Sequence, residues 1–207
     1  MGLRSAIVSQ FEHPRGFLGR IVGWILAGRG SNLVRNRWTV DRLDPTGGER
    51  VLEVGCGPGI ALGLVLSRAS VTAVGVDHSD LMIANARRRN AKAVRAGRLT
   101  LIAGTIDDVP AGQGPFDKAF SINVIQFVDQ EAFVARMHSL LKPGGTLATT
   151  YQPRHAKATR ADALKLAETL TQILARGGFE NIRTEELDLK PVPAVCVVAQ
   201  RRTAYPR

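Results

Sequence analysis

Short β-branched segments alternate with segments of helical period along most of this 207-residue chain, and this alternation constrains its fold more than any other feature. Parallel strands that follow one another need a crossover connection, usually a helix, so the pattern predicts βαβ units in an α/β fold. The predicted strands lie at 50–54, 71–76, 99–103, 116–122 and 146–151. The predicted helices lie at 60–68, 79–93, 130–141 and 161–176; Ser79 caps the second, and Lys142-Pro143-Gly144-Gly145 ends the third.

The last part of the chain predicts a β-hairpin instead. Two extended segments, 181–189 and 192–200, are separated only by Lys190 and Pro191. So short a connection cannot carry a parallel crossover, and the two segments are therefore predicted to be antiparallel neighbours. The length of the whole chain suits a single domain of this kind.

Basic residues outnumber acidic ones, 28 against 18, which gives a formal net charge of +10. This excess favours an anionic partner, which can be nucleic acid, a lipid surface or an acidic small molecule. It is concentrated before residue 41, where Glu12 is the only acid beside six arginines, and in an acid-free run from Arg87 to Arg98. We expect the second run to be a solvated helix face.

The two cysteines, Cys56 and Cys196, have no metal-ligand spacing and do not indicate a disulfide framework. A reducing, cytoplasmic compartment is therefore expected, and no metal site is predicted. The apolar segment 21–28 is too short to span a bilayer, and no convincing cleavage site follows it. We expect it to form an amphipathic helix packed on the protein.

The run from Glu53 to Gly59, Glu-Val-Gly-Cys-Gly-Pro-Gly, stands between the first predicted strand and the helix after it. Glycines at this point let the backbone approach a ligand closely, and the amides at the helix start favour a carboxylate or phosphate. Asp77 ends the second strand, where a carboxylate can accept hydrogen bonds from ribose hydroxyls. These residues predict a nucleoside site at the carboxyl ends of the strands.

Over about residues 40 to 200, the chain resembles the class I, seven-stranded S-adenosylmethionine-dependent methyltransferases. The resemblance rests on Glu53 with the G-x-G-x-G glycines, on Asp77, on the Phe116-Asp117 pair, on the Leu141 to Gly145 turn and on the closing hairpin. It implies a Rossmann-like, mostly parallel sheet in the order 3-2-1-4-5-7-6, with strand 7 antiparallel and helices on both faces. It also implies an enzyme that uses S-adenosyl-L-methionine.

The resemblance further implies where the cofactor binds. The glycine loop contacts the methionine end, Glu53 lies near the amino group, and Cys56 is a small residue packed nearby. The loop after the third strand covers adenine, either through Ile106 or through Asp107; many relatives have an aspartate where this chain has Thr105. The cofactor-binding residues implied in this way are Glu53, Gly55, Cys56, Gly57, Gly59, Asp77, His78, Thr105, Ile106, Asp107, Ser121 and Asn123.

The acceptor side is less constrained by the sequence. A sulfonium methyl group is already activated, so the enzyme mainly has to align the nucleophilic atom of the acceptor. A hydroxyl acceptor would need a general base, for which His155 with the nearby Tyr151 is the best candidate and His13 an alternative. Residues 123–126 lack the Asp-Pro-Pro-Tyr or Asn-Pro-Pro-Tyr run of methylases that act on nucleobase amines or glutamine amides.

Residues 1–40 are predicted to be a helical lid on the acceptor side, and residues 41–207 the cofactor-binding domain. The aromatic and arginine-rich lid can roof an apolar acceptor or rest on an anionic membrane surface. The sequence favours methyl transfer to a small, partly apolar or lipid-like acceptor. RNA methylation and a non-catalytic nucleoside-binding protein are the alternatives, and the oligomeric state is left open.

Overall fold

A computed structural model describes residues 29–68, 70–155 and 157–203 of the chain. The α-helices in these ranges are α1 (Arg29–Leu43), α2 (Ile60–Arg68), α3 (Asp80–Arg89), α4 (Ala91–Arg95), α5 (Gln130–Leu140) and α6 (Arg160–Arg176). The strands are β1 (Arg50–Val54), β2 (Thr72–Asp77), β3 (Leu99–Ala103), β4 (Phe116–Ile122), β5 (Leu141–Tyr151), β6 (Phe179–Leu187) and β7 (Ala194–Arg201). The apolar segment 21–28, predicted to be an amphipathic helix, lies outside the described residues, and so does His13.

The strands form one sheet in the order β3-β2-β1-β4-β5-β7-β6. Strands β1 to β5 pair in parallel, whereas β7 is antiparallel to both β5 and β6. Val54 at the end of β1 is opposite Val76 of β2 and Ser121 of β4, so the carboxyl ends of these strands meet at one edge. The predicted order and the antiparallel hairpin are confirmed.

Both faces of the sheet are covered by apolar side chains, because adjacent residues of a strand point to opposite faces. Leu52 belongs to a cluster with Met137 of α5 and Leu170 of α6. Its neighbour Val51 belongs to a second cluster, which includes Leu62 of α2 and residues of α1. The sheet is thus the middle layer between two sets of helices.

By its contacts, the chain divides into two compact units, residues 1–34 and residues 35–207. The second unit contains the whole sheet and the larger part of α1, whose Trp38, Val40 and Leu43 are buried in the second cluster. These α1 residues therefore belong to the core of the sheet. Across the described residues, no helix is long and apolar enough to cross a membrane.

The predicted helix at 79–93 is wrong in its extent, although Ser79 is its N-cap and accepts a hydrogen bond from the Met82 amide at 3.4 Å. The helix ends at Arg89, and the short α4 begins at Ala91. Asn90 interrupts it, since its side-chain amide donates to Ala86 O and to Gly59 O. An asparagine that bonds to the backbone in this way competes with continued helix.

The Lys142 to Gly145 segment was expected to separate a helix from a strand that starts at Thr146. Instead, α5 ends at Leu140 and β5 begins at Leu141, so the segment lies within the strand. Phe116 pairs with Leu141 and Lys118 with Thr146, which leaves the intervening residues as a bulge. Gly144, at φ +77°, accommodates the irregular backbone of this bulge.

Leu62→Ala is expected to lower the free energy of unfolding by about 2–5 kcal/mol, because it leaves a cavity where a fully buried side chain packed against β2. Leu81→Ala is the matched control, since Leu81 is also helical but 60% exposed. It should cost less than about 0.5 kcal/mol. Urea unfolding followed by circular dichroism measures both; equal losses would show that the second cluster is not the tightly packed core described here.

Candidate active site

The glycine loop between β1 and α2 is anchored to β2 through its backbone. The amides of Gly55 and Cys56 both donate to Val76 O, at 2.8 and 3.0 Å. Gly57 has φ +50°, and a Cβ at that position would meet no heavy atom of the described chain within 4 Å. The loop therefore borders open space that a side chain would fill and that an incoming ligand can occupy.

Gly59 is needed for a different reason, which is its close approach to α3. A Cβ there would lie 2.6 Å from Asn90 Nδ2 and 2.9 Å from Ala86 Cβ. Asn90 Nδ2 donates to Gly59 O at 2.9 Å, and Arg89 Nε donates to Pro58 O at 3.0 Å. The end of α3 therefore braces the loop. The sequence analysis did not identify Arg89 or Asn90 as part of the site. The one local signal was Asn90 itself, an asparagine near the end of a predicted helix.

The Asp77 carboxylate joins the loop to the start of α3. Its Oδ2 accepts from the Gly57 amide at 2.8 Å, and its Oδ1 accepts from the Ser79 amide at 3.0 Å. An ionised carboxylate offers about four acceptor positions, so two such bonds leave capacity for ribose hydroxyls. Asp77 is 8% exposed and lies at the edge where β1 and β2 end. The position fits its predicted role.

Glu53 is buried in β1 and is the second acid of the site. The backbone of Leu62, in the first turn of α2, favours the ionised form of the Glu53 carboxyl group and so lowers its pKa slightly. Among the described residues, its Oε2 has no hydrogen-bond partner. Burial raises the pKa of Glu53 well above its usual value, and the nearby charge of Asp77 raises it further. A cationic group bound beside Glu53 would favour the ionised form again.

These groups match the functional groups of S-adenosyl-L-methionine. A buried carboxyl oxygen without a partner in the described chain suits the ammonium group, and Asp77 suits the ribose diol. The open space at Gly57 suits close approach of the ligand to the backbone. The residues present therefore fit this cofactor.

Cys56 lies inside the loop, and its surroundings do not favour a nucleophilic thiolate. Its thiol is buried, and Sγ donates only a long contact of 3.8 Å to Gly57 O. Burial raises the pKa of the thiol, and the carboxyl groups of Glu53 and Asp77 raise it further. A reactive cysteine requires the opposite shift, so Cys56 is suited to packing.

The loop after β3 forms the 3-10 turn Ile106–Asp108, which Thr105 caps. Thr105 Oγ1 donates to Asp108 Oδ2 at 2.9 Å and accepts from the Asp107 amide at 3.3 Å, so its side chain is engaged within the loop. Ile106 is buried, while Asp107 is exposed. Asp108 was missed, although Thr105-x-x-Asp108 has the spacing of a capping box.

The remaining predicted contacts lie at the ends of β2 and β4. His78 is half exposed, with Nδ1 3.7 Å from Asp77 Oδ1. Ser121 is fully buried, and within the described chain its Oγ has no partner. Asn123 adopts φ +56°, and its Oδ1 accepts a hydrogen bond from the backbone amide of Gln152 at 2.8 Å. Asn123 thus connects the end of β4 to the segment that follows β5.

The two predicted catalytic side chains differ in their surroundings. Tyr151, the last residue of β5, packs against the first apolar cluster, and burial, together with the charge of Asp162, raises its pKa. His155 is exposed, with Nε2 3.8 Å from Asp162 Oδ2. The structure therefore brings both residues near Asp162 at the start of α6. No group of three or more metal-ligating side chains occurs among the described residues.

The sheet order and this site define a class I S-adenosylmethionine-dependent methyltransferase, and comparison with known proteins agrees. A family model described as a methyltransferase domain matches residues 51–145. An uncharacterized methyltransferase of Bacillus subtilis (strain 168), YdaC, is 33% identical over 183 residues, which cover 87% of this chain and 98% of that protein. The chain belongs to this methyltransferase family, and it is an enzyme that uses S-adenosyl-L-methionine.

Two further proteins are similar to this chain. The 24-methylenesterol C-methyltransferase 2 of Oryza sativa subsp. japonica is 29% identical over 191 residues, which cover 81% of this chain and 50% of that protein. The structure of a geranyl diphosphate methyltransferase in complex with the cofactor superposes with a TM-score of 0.65 at 16% identity, over 82% of this chain and 85% of that one. At 16% identity, the likeness to the geranyl diphosphate methyltransferase shows the fold alone.

Asp77→Asn is expected to weaken binding of S-adenosylhomocysteine about 10- to 100-fold. The substitution removes the charge that strengthens each hydrogen bond to this carboxylate, and bonds to charged groups contribute roughly 1.5–3 kcal/mol. Asp80→Asn, three residues away on the exposed first turn of α3, is the control. Titration calorimetry measures both. An unchanged affinity in folded Asp77→Asn protein would place the ribose elsewhere.

Proposed function

We propose that this methyltransferase acts on a small, partly apolar acceptor that binds at the carboxyl ends of β4 and β5. The observation that carries the proposal is the turn Ile125–Phe127 that follows β4. Phe127 and Val128 are 49% and 38% exposed there, a few residues beyond Asn123. Exposed neighbouring apolar side chains beside a ligand cleft are typical of sites for apolar molecules.

The names of two relatives support the same class of acceptor. They include the plant sterol enzyme described above and a ubiquinone/menaquinone biosynthesis C-methyltransferase of Geobacter sp. (strain M21), which is 33% identical over 114 residues. Both names refer to apolar small molecules. An RNA acceptor would rest on the net charge of +10 alone, so it is the less favoured alternative.

In this proposal, residues at the carboxyl ends of β1 and β2 and in the loops that follow hold the cofactor. Gly55, Gly57 and the loop around them face its methionine end, and Glu53 faces the ammonium group. Asp77 accepts from the ribose hydroxyls, with His78, Ile106 and Asp107 around the adenine. When bound, the cofactor supplies an activated sulfonium methyl group. Asn123, fixed by Gln152 on one side, limits where an acceptor can lie.

The contribution of the protein is then alignment and exclusion of water, not activation of the donor. For a hydroxyl acceptor, we propose that Tyr151 and His155 serve as the catalytic pair. The raised pKa of Tyr151 keeps it protonated at neutral pH, so Tyr151 acts as a hydrogen-bond donor and His155 takes the proton. The exposure of His155 means that its ring must turn toward the acceptor when the site is filled.

Phe127→Ser is expected to raise KM for an apolar acceptor about 10- to 100-fold while cofactor affinity stays within about twofold. Burial of a phenylalanine side chain against a ligand is worth roughly 1.5–3 kcal/mol. Transfer of radiolabelled methyl from the cofactor to a panel of quinols, terpenoid alcohols and fatty acids, with tRNA as a further acceptor, provides the measurement. Leu81→Ser, also exposed, is the control. Transfer to tRNA and to none of the small molecules would refute the proposal.

We also propose that the N-terminal segment is the acceptor-side lid. Because Arg35 to Leu43 belong to the same compact unit as the sheet, the proposed lid itself lies before Arg35. The proposed compartment is the cytoplasm, with peripheral membrane contact through the arginines of this segment.

A truncated chain that begins at Asn32 is expected to stay folded and to bind S-adenosylhomocysteine within about tenfold of the full chain, roughly 1.4 kcal/mol. Methyl transfer should fall much more, because a lid excludes water and completes the site once the acceptor is present. Calorimetry and the radiolabel assay separate the two effects. Full transfer by the truncated chain would show that residues 1–31 have no part in the reaction.

A further inference from the structure

Asn123 stands where the two halves of the sheet diverge. From β1 the chain proceeds outward through β2 to β3, and from β4 it proceeds in the opposite direction to β5. In open α/β sheets, ligands bind at such a switch point, in the crevice outside the carboxyl ends of the strands. Asn123 directly follows β4, and the next residue, Val124, packs so closely on Gly55 that a Cβ at Gly55 would clash with Val124 Cγ2. Asn123 therefore adjoins the glycine loop.

Three of the four polar groups of Asn123 are engaged within the protein. Its backbone amide donates to Thr150 O at 2.8 Å, and its backbone oxygen accepts from Gln126 Nε2 at 2.9 Å. Its side-chain Oδ1 accepts from the backbone amide of Gln152 at 2.8 Å. The fourth group, Nδ2, has no hydrogen-bond partner in the described part of the chain. Because Asn123 is only 8% exposed and buried polar groups are seldom left unpaired, Nδ2 is a donor for a ligand.

The orientation of this side-chain amide is determined by its partner. A backbone N–H can only donate, so the atom that faces the Gln152 amide must be the oxygen, and the nitrogen takes the other position. Gln152 is itself held in place, since its Nε2 donates to Val192 O at 2.7 Å and its Oε1 accepts from Arg35 Nη1 of α1 at 2.5 Å. Asn123 is therefore a fixed hydrogen-bond donor at the end of β4.

A fixed donor distinguishes between oxygen and nitrogen groups of a ligand. Hydroxyl, carbonyl and phenolate oxygens all have lone pairs that can accept from Nδ2. An N–H group would place a second donor against the first and leave both unpaired. Sites that hydrogen-bond one group of a ligand discriminate against analogues that leave the buried partner unpaired. The orientation of Asn123 thus favours ligands with an oxygen at this position.

We propose that Asn123 Nδ2 donates a hydrogen bond to an oxygen atom of the acceptor, and so selects acceptors that carry a hydroxyl, carbonyl or phenolate oxygen beside the methylated position. The proposal rests on the acceptor position argued under the proposed function. The hydrogen bond fixes this oxygen next to the glycine loop, while the apolar side chains after β4 contact the rest of the acceptor. Asn123 is a specificity-determining residue, and it neither takes nor gives up a proton during the transfer.

The test compares three probes that share one apolar body: butylbenzene, 4-butylacetophenone and 4-butylaniline. Each is titrated by calorimetry into the full chain saturated with S-adenosylhomocysteine. The acetophenone offers only an acceptor oxygen, whereas the aniline offers mainly N–H donors. The wild-type protein is expected to bind the acetophenone about 3- to 10-fold more tightly than the other two, which is the factor that one neutral hydrogen bond gives.

Two substitutions change the side chain while suiting the backbone at φ +56°, a region that glycine and aspartate also adopt. Asn123→Gly removes the donor and should bring the acetophenone and the aniline within about twofold of each other. Asn123→Asp, measured at pH 8, keeps an oxygen toward Gln152 but replaces Nδ2 by a second oxygen, and should reverse the preference. Asn85→Asp, on the exposed side of α3, adds the same charge outside the site and should keep the wild-type preference. Circular dichroism checks that each variant is folded.

Each other result has a separate meaning. Equal affinity of the wild-type protein for the acetophenone and the aniline, or a preference that survives in folded Asn123→Gly protein, overturns the assignment while the apolar acceptor site stands. If that variant keeps the preference and also binds S-adenosylhomocysteine more than about tenfold more weakly, the amide belongs to the cofactor, and the assignment is again overturned. Failure of the wild-type protein to bind any of the three probes overturns the proposed function instead.

Discussion

The carboxylate of Asp77 holds together the parts of this site that come from different segments of the chain. It accepts one amide hydrogen bond from the glycine loop and one from the cap of α3, so the loop, the end of β2 and the helix keep fixed positions relative to one another. The contacts of Arg89 and Asn90 close the arrangement from the far end of α3. A loop braced at both ends needs little reordering when a ligand arrives, and this preorganisation favours affinity.

The sequence predicted the sheet well because its signals are local and repeated. The central strands are short apolar segments, most crossovers between them have helical period, and the short connection around Lys190 leaves only an antiparallel hairpin. The errors occurred where a side chain or a glycine changes the backbone path. Asn90 divides a helix through its own hydrogen bonds, and Gly144 allows a bulge within β5 where a turn before the strand was expected.

The positions of Glu53, the glycine loop and Asp77 at one edge of the sheet were also predictable, since these residues are close in sequence to the strand ends that carry them. The buried contact between α1 and the segment after β5 was not. Arg35 and Gln152 are 117 residues apart, and nothing local distinguishes Arg35 from the other arginines near the start of the chain. Only the packing of α1 on the sheet shows that this arginine is buried. Long-range pairs of this kind depend on the tertiary fold, which periodicity does not encode.

The environment of the two cysteines has a practical consequence for spectroscopy. Cys56 and Cys196 are the only cysteines of the chain, both are buried, and burial raises the pKa of Cys196 to about 12. Maleimides and methanethiosulfonates react with thiolates, which these residues scarcely form at neutral pH. A cysteine introduced at an exposed position would therefore take a fluorophore or spin label selectively. Distances between labelled positions can be followed in this way without first replacing the native thiols.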